Sequence, residues 1–250
     1  MAFLLFSVIG AIGAFLSGLI GIGGAIIMYP MLLFIPPFFN IEMTPTSAAG
    51  LTAAQVFFSS LSGSISQRKN EFINTSIIIP MSMGILLGSI SGAYLASIFD
   101  ESIINIVYTF LAILAVVLMF IKVTANDTKT TYNKFALFIV AAMIGILSGI
   151  VGAGGAFLIV PILLTLFKVP FRVVIANSII VAFVSSIGTF FTKYITGGVD
   201  IEHAIPLIIA SLIFAPLGTK VSKRTNQTVL RYILTALIIM AAVKMIMDMI

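Results

Sequence analysis

Ten long apolar segments, separated by short polar turns, make up almost all of this 250-residue chain. Hydrophobic residues account for 60% of the sequence and charged residues for only 8%, against about 25% charged in a soluble domain. So few charges cannot cover a water-exposed surface, and the sequence therefore predicts an all-α integral membrane protein that crosses the bacterial cytoplasmic membrane many times. The predicted segments lie at about 3–20, 24–39, 45–66, 76–98, 102–122, 134–151, 155–168, 171–195, 203–222 and 227–247.

Charge and composition narrow the functional classes. The formal net charge is +5, but the Lys and Arg residues lie in the turns, which indicates membrane orientation and not nucleic-acid binding. The chain has no Cys and one His, and no Asp or Glu falls in the middle of a segment, so we expect no membrane-embedded enzyme, no metal site and no cofactor. The lipid bilayer is one expected partner, and a homodimer is the alternative to a monomer.

The sequence contains an internal duplication. The phrase "SGLIGIGGAIIMYP" at 17–30 recurs 131 positions later as "SGIVGAGGAFLIVP" at 148–161. After a longer loop in the first half the spacing falls to 126, at which Ser59–Ser60 recurs as Ser185–Ser186. Five segments therefore align with five, as in transporters built from two repeats.

Loops at equivalent positions of the two halves carry opposite charge. The acidic loop 40–44 corresponds to the basic turn 168–172, and the acidic turn 99–101 corresponds to the basic turn 219–224. Because basic loops stay in the cytoplasm, the halves are predicted to be inverted-topology repeats with both termini outside. The predicted organisation is repeat 1 at 1–124, a cytoplasmic linker at 125–133 and repeat 2 at 134–250.

The first two segments of each half form a hairpin that glycines break. The second segment has about 15 residues and barely reaches across a core of ~30 Å, so the hairpin is either re-entrant or a pair of thin, tilted spans. The glycine break, here named the elbow, leaves backbone N–H groups unpaired at the start of the next helix, where an anion can bind without Lys or Arg. The predicted elbow residues are Gly21, Gly23, Gly24 and Ala25 in the first half and Gly152, Gly154, Gly155 and Ala156 in the second.

Close helix packing is the alternative role for these glycines. A complete break repeated in both halves favours a ligand site at the elbows. Elsewhere packing is the favoured interpretation, and the glycines concerned are Gly10, Gly13, Gly18, Gly145 and Gly149.

The third segment of each half supplies neutral hydrogen-bond donors. Hydroxyls and amides can hold an oxyanion without trapping it permanently, although such groups also join membrane helices to one another. The candidate substrate-binding residues here are Thr52, Gln55, Asn177 and Ser178, and the serine pairs that follow rank lower.

Two charged positions near the outer face have competing interpretations. Lys193 either attracts an anion in the exit path or, as we favour, extends along the segment to the lipid headgroups. His203, next to Asp200 and Glu202, is expected to mark the start of a helix and not a proton relay.

At the duplicated glycine motifs the chain resembles the sulfite exporter TauE/SafE family, also called TSUP. The resemblance rests on "SGLIGIGGAIIMYPMLL" and "SGIVGAGGAFLIVPILL" and extends over the whole chain. It implies a transporter that exports sulfite or organosulfonates across the cell membrane. Family members often have a third glycine where Ala25 and Ala156 stand, and their Thr-Ser pair is replaced here by Leu51-Thr52 and Asn177-Ser178.

These observations predict alternating access around an anion site near the midplane, formed where the two elbows converge. An inside-negative potential contributes about 2.3 kcal/mol per charge per 100 mV to anion export, so no further coupling ion is required. A gradient-coupled importer of sulfate-like or sulfonate-like anions and an anion channel are the alternatives.

Overall fold

The computed structural model describes residues 2–21, 24–68, 70–121 and 132–247, and the regular structure in these ranges is helical throughout. Each predicted segment is a helix whose ends lie within a few residues of the prediction. The helices are α1 (Ala2–Ile20), α2 (Ala25–Phe34), α3 (Pro45–Gln67), α4 (Thr75–Leu95), α5 (Glu101–Phe120), α6 (Lys134–Val151), α7 (Ala156–Thr165), α8 (Phe171–Ile195), α9 (Ile201–Arg224) and α10 (Gln227–Met247), with a 3₁₀ helix at Pro36–Phe39.

Seven helices in the described ranges are long and apolar enough to cross a membrane: α1, α4, α5, α6, α8, α9 and α10. This confirms the prediction of an all-α, multi-pass integral membrane protein. Helix α3 is equally long but richer in Ser, Thr and Gln, and its side chains from Ala48 to Val56 are completely buried. It therefore lies in the centre of the molecule and not against lipid.

Helices α2 and α7, which follow the elbows, have only 10 residues each. At 1.5 Å per residue each extends about 15 Å, roughly half of the hydrocarbon core. The 3₁₀ helix lengthens the first of them by one further turn. Of the two interpretations of the hairpin, these lengths favour a short returning arm over a second full span.

The first helix of each half packs against the fourth helix of the other half. Helix α1 packs along α9 of the other half, and its counterpart α6 packs along α4. Likewise α3 contacts α9 while α8 contacts α4, and α3 and α8 cross each other between these pairs. Two repeats related by a two-fold axis require this reciprocal pattern, although the inverted topology itself stays a prediction.

Glycines make the exchanged helix pairs possible. A Cβ added to Gly145 or Gly149 on α6 would lie 2.6 Å from the carbonyl oxygen of Ile85 or Ser89 on α4. A Cβ on Gly18 would overlap the carbonyl of Ala215 on α9, and Gly10 faces the same helix. The packing interpretation is thus confirmed for these four glycines, whereas Gly13 faces side chains near the first elbow.

Polar residues start the helices next to the predicted linker and the last outer loop. The linker lies largely outside the described residues, but Asn133 at its end accepts hydrogen bonds from the backbone of Phe135 and Ala136. Asp200 caps α9 in the same way and also contacts His203 Nδ1 at 2.6 Å, which confirms the helix-start interpretation. Partial burial raises the pKa of Asp200, but the hydrogen bonds and charge of His203 outweigh it and lower that pKa overall.

We expect Gly149→Val to separate α6 from α4, because the new side chain meets backbone and cannot be accommodated by a rotamer change. Overpacking of this kind costs about 1–3 kcal/mol or more. The melting temperature of the detergent-purified protein should fall clearly. Met143→Val, on the exposed side of α6, should leave it nearly unchanged, and equal melting temperatures for the two variants would contradict the packing role.

Candidate functional site

Both elbows are built by glycines in the left-handed backbone conformation, which other residues resist. The φ angles are +74° at Gly21 and +69° at Gly24, and +81°, +59° and +71° at Gly152, Gly154 and Gly155. Gly24 and Gly155 immediately precede the short helices. Gly23 and the side chain of Ala156 lie outside the described part, while Ala25 is fully buried.

Each elbow rests on the third helix of the other half. A Cβ on Gly21 would lie 2.8 Å from the carbonyl oxygen of Ile175 on α8, and one on Gly152 would overlap the carbonyl of Ala49 on α3. Ser178 on α8 also donates a hydrogen bond of 2.8 Å to the carbonyl of Gly21. The first elbow therefore lies one turn inside the predicted cytoplasmic end of α8, and the second one turn inside the predicted outer end of α3.

The elbows extend from these positions toward the centre. Helices α2 and α7 touch each other. A Cβ on Gly154 would lie 3.4 Å from Val56 and 3.5 Å from Ser186, both near the middle of their helices. Ser186 and Ser60, which occupy equivalent positions 126 residues apart, contact each other through their hydroxyls at 3.3 Å. By sequence alone these serines rank below the other candidate substrate-binding residues, although their recurrence at the repeat spacing indicates that they occupy equivalent positions.

Gln55 is the most unusual polar side chain at the first elbow. It is fully buried, and neither its amide nitrogen nor its amide oxygen has a hydrogen-bond partner in the described part of the chain. A Cβ on Gly13 would lie 3.5 Å from the amide nitrogen, and the Gly13 carbonyl in turn packs against Gly24. A buried polar group without a hydrogen-bond partner destabilises the folded protein by about 1–3 kcal/mol. The amide of Gln55 therefore lowers stability but remains free to bind a ligand.

Hydroxyls complete the polar cluster beside the first elbow. Ser17 on α1 and Ser59 on α3 contact each other through their Oγ atoms at 3.1 Å, and both are fully buried. A Cβ on Gly24 would lie 3.1 Å from Cβ of Ser17, which puts this pair beside the start of α2. The second half lacks the amide, because Val181 stands at the position equivalent to Gln55.

The other predicted third-helix residues already have partners. Thr52 donates 2.7 Å to the carbonyl of Ala48 in its own helix. Asn177 donates to the carbonyls of Phe72 and Val173 and accepts 2.7 Å from the backbone N–H of Asn74. Asn177 thus holds the α3–α4 turn against α8, and its binding role, like that of Thr52, stays a prediction.

An open cavity of about 350 Å³ lies at the predicted cytoplasmic ends of α3, α8 and α9. Arg172 and Lys223 contribute positive charge and Glu71 contributes one negative charge, and Ile175, which touches Gly21, lies in its wall. A larger cavity of about 730 Å³ shares Arg172 with it and adds Arg231. The predicted cytoplasmic face therefore offers a basic approach to the first elbow.

Lys193 is placed differently from the favoured prediction. Its side chain is only 3% exposed and donates a hydrogen bond of 3.1 Å to the carbonyl of Ile150, just before the second elbow. The prediction that it extends to the headgroups is wrong, because the side chain turns into the protein to meet the end of α6.

Comparison with known proteins gives a consistent match. The model of the family described as Sulfite exporter TauE/SafE matches residues 5–245. The chain is 24% identical to the probable membrane transporter protein YunE of Bacillus subtilis over 99% of this chain and 98% of that protein. It is 27% identical to a probable membrane transporter protein of Methanocaldococcus jannaschii, over 92% of this chain and 90% of the other. No solved structure matches significantly.

We expect Asn177→Ala to destabilise the protein by about 1–3 kcal/mol, because the backbone groups of Phe72 and Asn74 lose their partner. Thermal unfolding in detergent measures the change. Thr52→Val is the matched control, since its hydroxyl bonds only within its own helix. An Asn177→Ala protein as stable as this control would refute the structural role.

Proposed function

Because the chain belongs to the sulfite exporter TauE/SafE family, whose relatives are named as membrane transporters, we propose that this transporter exports small anionic sulfur compounds such as sulfite or organosulfonates. The anion binds at the elbows, where backbone N–H groups and neutral side chains replace fixed cations. The predicted elbow and third-helix residues form this site, with Gln55 as a principal donor.

The unpaired amide of Gln55 is the observation that carries the proposal. Buried polar groups in proteins are normally hydrogen-bonded. An amide left without a described partner, next to glycines in left-handed conformation and the hydroxyls of Ser17 and Ser59, suits a site whose partner arrives with the substrate. Sulfite and sulfonates present several oxygen acceptors for these donors.

The exchanged helix packing supports inverted repeats and alternating access. Each of the α1–α9 and α4–α6 pairs takes one helix from either half, and glycines hold the two backbones together, so the two pairs move against each other as units in alternating access. The short helices α2 and α7 then expose the site to one face at a time. In this structure the cavity at the predicted cytoplasmic face is open, as an exporter requires for loading.

The basic cavity also supports cytoplasmic loading of an anion. Arg172 and Lys223 attract a negative solute but remain outside the elbow, so they need not bind it tightly. The membrane potential then favours outward movement by about 2.3 kcal/mol per charge per 100 mV.

Proteoliposomes loaded with radiolabelled sulfite test this mechanism. We expect efflux to accelerate when a potassium gradient with valinomycin makes the side facing the basic cavity negative. Efflux indifferent to potential would contradict potential-driven export. Uptake that follows a pH jump at zero potential would favour the gradient-coupled importer, and single-channel currents without counterflow would favour the channel.

We expect Gln55→Met to lower kcat/KM for sulfite by about 10- to 150-fold, the equivalent of losing a 1.5–3 kcal/mol hydrogen bond to a charged group. The same variant should melt at a higher temperature, because an unpaired buried amide is replaced by an apolar side chain of similar length. A residue with only a structural role would show the opposite change in stability.

Thr189→Val is the control for this prediction, because its buried hydroxyl already bonds the carbonyl of Ser185 within its own helix. Its transport should stay within about twofold of the wild type, since no free donor is lost. Wild-type transport by Gln55→Met would exclude this amide from the site.

A further inference from the structure

Lys193 is a buried cation without an acidic partner. Its ammonium group has three donors, and the structure gives one of them the carbonyl of Ile150 at 3.1 Å. The ion pair recorded among the described residues joins Asp200 to His203 and does not involve Lys193. Ionised residues buried within a membrane protein are costly and generally mark a substrate or ion pathway.

The repeat spacing of 126 residues gives Lys193 a counterpart in the first half, namely Gln67. The same spacing relates Ser60 to Ser186, whose hydroxyls meet at the crossing of α3 and α8. It also relates Ala49 to Ile175, each of which supports an elbow. The correspondence therefore holds in three dimensions at the N-terminal ends and at the centre of these helices.

Gln67 lines the open cavity at the predicted cytoplasmic face. The lining residues Gln67, Phe72, Arg172, Ala176 and Gln227 correspond at the outer face to Lys193, Gly198, Thr46, Gly50 and Glu101. If the two faces open alternately, the outer set should line a cavity when the inner set closes.

In this structure Gly50, Gly198 and Thr46 of the outer set pack against one another, while Glu101 is exposed. A Cβ on Gly50 would overlap the carbonyl of Gly198, and a Cβ on Gly198 would lie 3.8 Å from the Thr46 methyl group. Their inner counterparts Ala176, Phe72 and Arg172 line the open cavity, although the Phe72 carbonyl is hydrogen-bonded to Asn177. Residues that line a cavity at the inner face therefore have outer counterparts in direct contact, here named the closed contact, and Gly198 of this contact also packs against Lys193.

We propose that Lys193 is the cation of an outer anion-binding site, closed in this structure, that receives the transported anion when the outer face opens. The inference rests on the function proposed above and adds a second binding position to it. In the closed state the ammonium group donates a hydrogen bond to the carbonyl of Ile150. In the open state it binds an oxygen of the transported anion instead. Glu101 belongs to the same outer set by the repeat spacing and adds a negative charge to it.

Counterflow of sulfite in proteoliposomes of known orientation tests the role of the charge. Lys193→Gln removes the charge, keeps a donor for Ile150 and installs the residue that the first half already has. We expect its KM for sulfite at the outer face to rise about 10-fold or more, a loss of about 1.4 kcal/mol or more, while the KM at the inner face stays within about twofold. Equal changes at both faces, or none, would overturn the proposal.

Two further variants control this experiment. Lys193→Arg retains the charge and should keep the outer KM within about threefold of the wild type. Lys244→Gln removes an exposed positive charge near the same face, at a residue that lies over the Phe34 ring, and should leave the outer KM unchanged. An equal rise in Lys244→Gln would show that general surface charge, and not Lys193, is responsible.

Thiol labelling separates this inference from the proposed substrate. The chain has no Cys, so Thr46→Cys provides a single reactive group at the closed contact. We expect a membrane-impermeant maleimide to label it from outside, and external methanesulfonate, which unlike sulfite does not react with maleimide, to slow labelling unless Lys193→Gln is also present. No labelling, or protection that survives Lys193→Gln, would overturn the outer site. Protection that depends on Lys193, without any sulfite transport, would support the site and reject the export function.

Discussion

The constraint on which this structure depends is that a polypeptide cannot leave backbone groups unpaired against lipid. Both elbows break the helical hydrogen bonding within the membrane, and both are therefore covered by the third helix of the opposite half. Gly21 rests on Ile175 and Gly152 on Ala49, at distances that leave no room for a side chain. The exchange of packing partners between the halves provides this cover.

The helix pairs that carry the elbows are joined by backbone contact. Along α1–α9 and α4–α6, glycines bring carbonyl groups of one helix against the other, which gives broad van der Waals contact with few polar side chains. The polar groups are instead concentrated on α3 and α8, which are buried between these pairs. Apolar pairs outside and polar helices inside suit a membrane transporter, which needs a polar interior within hydrocarbon.

The sequence predicts the helices well because apolar length and glycine position are strong local signals. The spans, the broken hairpins and the packing role of Gly145 and Gly149 all follow from them. Side-chain partners are less predictable, since they depend on contacts between distant segments. Lys193 lies near a helix end, as headgroup-binding lysines do, yet its ammonium group meets Ile150 of another helix. Equally, the sequence offers Gln55 and Asn177 as similar candidates, and only the fold shows that Asn177 already has three partners.

Different hydrogen-bond donors hold the backbone at the two elbows. The first is tied by the neutral hydroxyl of Ser178, which bonds the carbonyl of Gly21, whereas Thr52 at the equivalent position bonds only its own helix. Beside the second elbow, the ammonium group of Lys193 holds the carbonyl of Ile150 instead. The two copies of one architecture therefore hold their elbows with unequal partners, a neutral hydroxyl at one and a buried ammonium group beside the other. Charge-assisted hydrogen bonds are roughly twice as strong as neutral ones, so the two ends of a nearly symmetric scaffold are held with unequal strength.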